Sequence, residues 1–183
     1  MKIACLGWGS LIWDPRLLPI QREWFKDGPF APVEFTRHSS GDRITLVIEP
    51  GADLVRVLWA HMIPKELQAA REALRDREGL IGDDWSSRIG SWQRGEASPA
   101  SMPELDKWAE AHGLEAVIWT ALGHKFRGKE VAPTVEQVIE HLRSLSGKKL
   151  ENTRRYIERA PRQIDTEYRR RIEAALGWTC REN

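Results

Sequence analysis

The chain has 183 residues, enough for one domain with a substantial core. Its 28 Lys and Arg residues almost cancel 27 Asp and Glu, so no global charge draws it to nucleic acid or to an anionic membrane. Cys5 and Cys180 stand near opposite ends and make neither a metal motif nor a disulfide framework. The opening MKIACLGWGS has an apolar run too short for a signal-peptide core, and no segment approaches membrane-spanning length. A soluble cytoplasmic protein is expected, with Cys5 as a small buried residue.

In chain order, Lys2 to Leu6 is short, apolar and followed by glycine, which predicts an opening strand. Trp8 to Asp14 is expected to turn, with Gly7 and Gly9 supplying backbone angles that other residues avoid. Pro15 to Pro32 carries four prolines and Gly28 and reads as an irregular connection. Three strands are predicted next: Val33 to Thr36, Arg43 to Glu49, and Leu54 to Met62, separated by turn sequences. Short connections between them imply antiparallel pairing. Pro64 is expected to open a helix at its first position, with Leu67, Ala70 and Leu74 on its apolar face and Gly79 as the stop. Residues 81 to 100 show no period and read as a long loop. Ser101 and Glu104 have capping-box spacing, opening a helix that stops at Gly113. Glu115 to Leu122 reads as a strand. Thr134 and Gln137 cap a further helix, and two more follow near 150–160 and 165–176. Strands first, then one helix, a strand and helices predict an α+β fold.

Most chemical motifs are absent. GWGSL lacks the third glycine of a dinucleotide loop, and no Walker loop exists. The five histidines never take a two-ligand helical spacing, so no metal is expected. No Gly-x-Ser-x-Gly elbow occurs, and no base for Ser10 can be named. The arginines of the last third, Arg154 to Arg171, are interleaved with Glu151, Glu158, Asp165, Glu167 and Glu173, the pattern of solvated helix faces and not of a nucleic-acid surface.

One acid is out of place. In Leu74-Arg75-Asp76-Arg77-Glu78-Gly79, Glu78 ends a helix where the dipole favours cations. By itself it reads as a surface residue beside a C-capping glycine. It also fits a carboxylate that takes a proton and returns it.

The ordered set Gly7-Trp8-Gly9-Ser10-Leu11-Ile12-Trp13, Arg43 to Val47, Val57-Leu58-Trp59 and Arg77-Glu78-Gly79 resembles the γ-glutamyl cyclotransferase superfamily. The first motif is most similar to the ChaC-type branch, which typically reads Gly-Tyr-Gly-Ser-Leu-Ile-Trp, and Asp76-Arg77-Glu78-Gly79 resembles the more widely shared Asp-x-x-Glu-Gly. The likeness spans about residues 5 to 85. It implies a small barrel of mixed, mostly antiparallel strands with flanking helices and a helical C-terminal third. On this basis residues 1–183 are expected to form one domain, with 146–183 as a C-terminal helical extension. The resemblance further implies cyclisation of a γ-glutamyl compound to 5-oxoproline with release of an amine. Glu78 would be general base and then acid, Gly7, Trp8, Gly9, Ser10 and Leu11 would hold the glutamyl group, and no cofactor would be needed.

Two departures bear on the substrate: Trp8 stands where the family has Tyr, and Trp85 where relatives carry a Tyr soon after the glutamate. Glutathione, other γ-glutamyl peptides and γ-glutamylamines all stay open. So do two other functions: a non-catalytic module that binds a small acidic ligand or a protein, and a hydrolase using Ser10. Glu49, Glu72 and Asp76 are fallback acids.

Overall fold

The first strand, β1 (Ile3–Gly7), is buried on both faces along its whole length, which demands a place inside a sheet. The computed structural model describes residues 1–181. It divides into two compact units: Met1–Gly7, Leu11–Ala31 and Arg56–Leu122 form one, and Trp8–Ser10, Pro32–Val55 and the chain from Gly123 on form the other.

In the first unit β1 lies between β5 (Leu58–His61) and β7 (Ala116–Thr120), with β6 (Ile89–Gln93) beyond β7. β1 and β7 are parallel, with Ile3 beside Ala116 and Cys5 beside Ile118, while the other pairs are antiparallel. A parallel pair requires a long crossover. The intervening chain contains α1 (Leu67–Glu78), a single turn α2 (Trp85–Arg88) and α3 (Leu105–Ala111). Ala70 and Leu74 of α1 join Ile3, Cys5, Ile89 and Ile118 in one buried cluster. Gly79 stops α1 in the left-handed region, φ 65°. The outer edge of β5 is covered by the proline-rich segment, through bridges Ile20–Met62 and Phe25–Trp59. There the Asp27 carboxylate accepts bonds from Trp59 Nε1 (2.9 Å) and the His112 ring (3.1 Å), and these hold its pKa below the usual carboxylate value.

In the second unit β2 (Phe30–His38) runs between β3 (Ile44–Ile48) and the short β4 (Leu54–Arg56). β2 and β3 are antiparallel, with a bulge between Glu34 and Arg37. Three helices follow: α4 (Val135–Ser144), α5 (Gly147–Arg159) and α6 (Glu167–Leu176). The Thr134–Gln137 capping box forms as expected. Among the described residues no helix is long and apolar enough to cross a membrane.

Several expectations need correction. The pairings give two open sheets and not a single closed barrel among the described residues. Leu54 to Met62 is two strands in different sheets, because the chain changes sheet at Val57, whose N–H binds Pro29 O (3.0 Å). β2 starts at Phe30, inside the supposed irregular connection. Pro64 precedes α1 by three residues and does not open it. Ser101 and Glu104 form no capping box; the Asp106 N–H near the start of α3 binds Ser98 Oγ instead (2.8 Å). The loop 81–100 contains α2 and β6. β6 escapes period counting because Gly90 interrupts it: a Cβ at Gly90 would stand 2.1 Å from the Trp119 indole that lies across the strand. The last two positions of the expected 146–183 extension lie outside the described residues.

Arg169 is a further correction, since it is buried and not solvated. Its guanidinium donates to the carbonyls of Ile157 (3.3 Å), Ala160 (2.6 Å), Pro161 (2.6 Å) and Ile164 (2.9 Å), and to Glu173 (3.3 Å). It thereby satisfies carbonyls at the end of α5 that no helical N–H can reach. Arg169→Met leaves those acceptors dry and should cost about 3 kcal/mol in urea unfolding. A loss below about 0.5 kcal/mol, the range of an ordinary surface substitution, would contradict this role.

Candidate functional site

Glu78 is the last residue of α1. The parallel register sets its surroundings: the offset that pairs Cys5 with Ile118 brings the final residues of β1 and β7, Gly7 and Thr120, to the same level. Thr120 Oγ1 donates to Glu78 Oε1 (3.3 Å), so the carboxylate lies where β7 ends. Its side chain is only 15% exposed.

Arg77 holds it there. Its side chain is 6% exposed. Nη1 donates to Glu78 Oε1 (2.8 Å), and Nη2 donates to Asp14 O (2.7 Å), on the segment that leaves the glycine loop. Arg16 Nη1 in turn donates to Arg77 O (3.2 Å), with Arg16 itself at φ 52°. Acid, arginine and the stretch 14–16 thus form one hydrogen-bonded knot within the first unit. Cys5 on β1 belongs to the same neighbourhood: complete burial and then the Glu78 charge push its thiol up to about 12, against a smaller lowering by Arg77.

The other expected site residues fall as follows. Gly7 ends β1, and Leu11 joins the buried cluster of the first unit. Trp8 (5% exposed), Gly9 and the half-buried Ser10 pack in the second unit. Neither Gly7 nor Gly9 has a positive φ, so the expectation of unusual backbone angles is wrong. Both are glycine because an aromatic side chain rests on them. A Cβ at Gly7 would come within 2.6 Å of the Trp24 ring, and one at Gly9 within 2.4 Å of the Tyr156 hydroxyl. Trp85 lies beneath α1, with the guanidinium carbons of Arg71 and Arg75 at 5.6 and 5.1 Å from its ring centre. Of the fallback acids, Asp76 pairs with Arg75 in solvent, Glu72 accepts from Gln68 (2.8 Å), and Glu49 meets the His124 ring in the second unit (3.0 Å). Among the described residues no group of three or more His, Cys, Asp or Glu is arranged to hold a metal ion.

Arg77, Thr120 and Tyr156 are neighbours of these positions that the sequence did not single out. Arg77 was readable only as a cation suited to a helix C-terminus, and nothing in the sequence links Thr120 or Tyr156 to motifs so far upstream.

No family model matches the chain, and no curated protein matches it. Its fold is similar to the crystal structure of a γ-glutamyl cyclotransferase specific to glutathione from yeast, with a TM-score of 0.51 and 15% identity over 97% of this chain and 98% of that one.

The Cys5 thiol gives a test of this neighbourhood. The folded state keeps the proton up to about pH 12, whereas the unfolded chain releases it near pH 9.0. The folded form therefore binds more protons between those values, and stability falls as pH rises through them. Above pH 9 the wild type should lose about 1.4 kcal/mol per pH unit more than Cys5→Ala does, read from urea unfolding of both proteins at pH 8, 9 and 10. Parallel pH profiles would show that the thiol ionises equally in both states.

Proposed function

We propose that the chain is a γ-glutamyl cyclotransferase-like enzyme, related to the ChaC-type branch, that converts a γ-glutamyl peptide or amine to 5-oxoproline and a free amine. The observation that supports this best is the placement of Glu78: a half-buried carboxylate within an Asp-Arg-Glu-Gly run, level with the residue where β1 gives way to the Gly-Trp-Gly-Ser loop. The fold likeness to the yeast enzyme is consistent with it, and the substrate of that enzyme makes glutathione the first candidate here.

The chemistry asks little of the protein. The substrate α-amine attacks its own γ-carbonyl carbon, a C–N bond closes the five-membered ring, and the original amide C–N bond breaks. Because the nucleophile belongs to the substrate, no serine, thiol or metal has to supply one. The enzyme must hold the glutamyl chain folded back, which converts orientation into rate. Backbone N–H groups of the loop from Gly7 through Trp8, Gly9, Ser10 and Leu11 bind the anionic head group or the developing oxyanion. The substrate ammonium gives one proton to solvent, and as the ring C–N bond forms Glu78 takes the second from that nitrogen and passes it to the departing nitrogen, which leaves as the neutral amine. Arg77 Nη1 and Thr120 Oγ1 both donate to Oε1, and on this reading Oε2 is the oxygen that exchanges protons with the substrate. Arg77 and Thr120 fix the rotamer, and the two proton transfers then proceed from one orientation.

The test is incubation of the purified protein with glutathione, other γ-glutamyl peptides and γ-glutamylamines, with chromatographic detection of 5-oxoproline. Release from at least one compound is expected. Glu78→Gln should reduce kcat by at least about a thousandfold; it also lowers the thermal midpoint, because the buried Arg77 loses its counter-charge, so kcat is compared at a temperature where both proteins are folded. Free glutamate in place of 5-oxoproline would favour hydrolysis, and no product from any compound would leave a binding module. Retained turnover in Glu78→Gln would remove Glu78 from the mechanism.

A further inference from the structure

Tyr156 is one of two tyrosines in the chain, and its placement is informative. It lies on the buried face of α5, itself 7% exposed, with its ring edge-on to Phe35 (centroids 6.5 Å apart, 85° between planes). The hydroxyl accepts the Leu46 N–H from β3 (3.3 Å). The same oxygen fills the space of the missing Gly9 side chain, 2.4 Å from where a Cβ would stand. All four residues belong to the second unit. The other tyrosine, Tyr168, gives its hydroxyl to Pro133 O instead (2.8 Å).

A phenol so placed does two things. It anchors to a strand by a backbone hydrogen bond, and it presses an oxygen against the backbone of the loop. Packing at that distance leaves the Gly9 peptide little freedom to rotate. Gly9 is therefore glycine in order to accept a hydroxyl from α5.

We propose that Tyr156 is the positioning residue of the Trp8–Ser10 loop and sets the affinity of that loop for the anionic glutamyl head of the substrate. The proposal rests on the cyclotransferase function above. Tyr156 acts through the loop and takes no part in bond making or proton transfer. It serves ground state and transition state alike, so its loss appears in KM and not in kcat. Glu78 has the opposite signature.

The experiment is a double-mutant cycle of Gly9→Ala and Tyr156→Phe, followed by thermal unfolding and by kinetics on the best γ-glutamyl compound. Tyr156→Phe should raise KM about fivefold with kcat held within about twofold. It also leaves the Leu46 N–H without its acceptor, so some fall in thermal midpoint is expected. Thr166→Val, which removes the side-chain cap of α6, is the control: its midpoint falls while KM stays at the wild-type value. Gly9→Ala should suffer more than Tyr156→Phe in both readouts. The combined variant should recover part of the loss, because removing the hydroxyl leaves the ring carbon Cζ, 3.3 Å away, as the nearest neighbour of the new methyl group. Additive effects on the midpoint would overturn the contact. A wild-type KM in Tyr156→Phe, or a raised KM in Thr166→Val, would overturn the positioning role. Absence of 5-oxoproline from the wild type overturns the cyclotransferase function instead, and the midpoint cycle still decides whether Tyr156 and Gly9 are coupled.

Discussion

The arrangement around Glu78 depends on one buried guanidinium. Arg77 is nearly sealed from solvent and binds both the Glu78 carboxylate and the Asp14 carbonyl. A buried cation without partners is unaffordable, and removing one member of such a pair typically costs about 3–5 kcal/mol. The requirement acts in both directions. It draws the Asp14 segment onto the end of α1, and it keeps Glu78 turned inward where the helix dipole alone would favour a cation. Neighbouring arginines of the same helix do other work: Arg75 pairs with Asp76 and lies over Trp85, and Arg71 donates to Ser86 O (2.8 Å). Of the charged residues in the Arg75-Asp76-Arg77-Glu78 run, the last two are the ones folded into the protein.

The two loop glycines extend the same principle from charge to shape. Gly7 yields its side-chain space to Trp24, and Gly9 yields its own to Tyr156. Neither needs a left-handed backbone, so the pair is a packing device and not a turn device. Trp8 is 5% exposed, and on this geometry it serves as core and not as the open wall of a pocket.

The sequence made the elements with local signals legible, and these are the elements where chemistry and period coincide. Gly79 ends α1 in the left-handed region as its position suggested, and Thr134 with Gln137 caps α4 through both reciprocal bonds. What stayed hidden was non-local. The run 54–62 continues across Val57 without a turn residue, yet the chain changes sheet there, and an unbroken apolar run carries no information about which partner a strand pairs with. Gly90 erased the period of β6 for the sake of an indole 29 positions later. Arg169 looked like its exposed neighbours Arg170 and Arg171, because its pairing with Glu173 four residues on is also what a solvated helix face shows, and the carbonyls that bury it leave no mark in the sequence. The same limit applied at the candidate site. Glu78 was visible as a misplaced charge, whereas Thr120 could not be found, since its hydroxyl reaches Glu78 only through the parallel pairing of β1 with β7.

A reaction of the proposed kind explains why so little sequence would have to be kept for it. When the substrate brings its own nucleophile, the protein contributes one proton carrier and a shaped cup, and neither demands a long motif. A cup made of backbone N–H groups constrains side chains only where they would obstruct it or the groups that support it. Here those positions reduce to Gly7 and Gly9, whose replacement by any larger residue meets an aromatic neighbour at less than 3 Å. In the proposed reaction the proton carrier would constrain Glu78 and the partner that orients it. Everything else has to preserve burial and register, which many sequences satisfy. On that account a fold likeness at 15% identity and two short recognisable runs, at 7–13 and 76–79, are compatible.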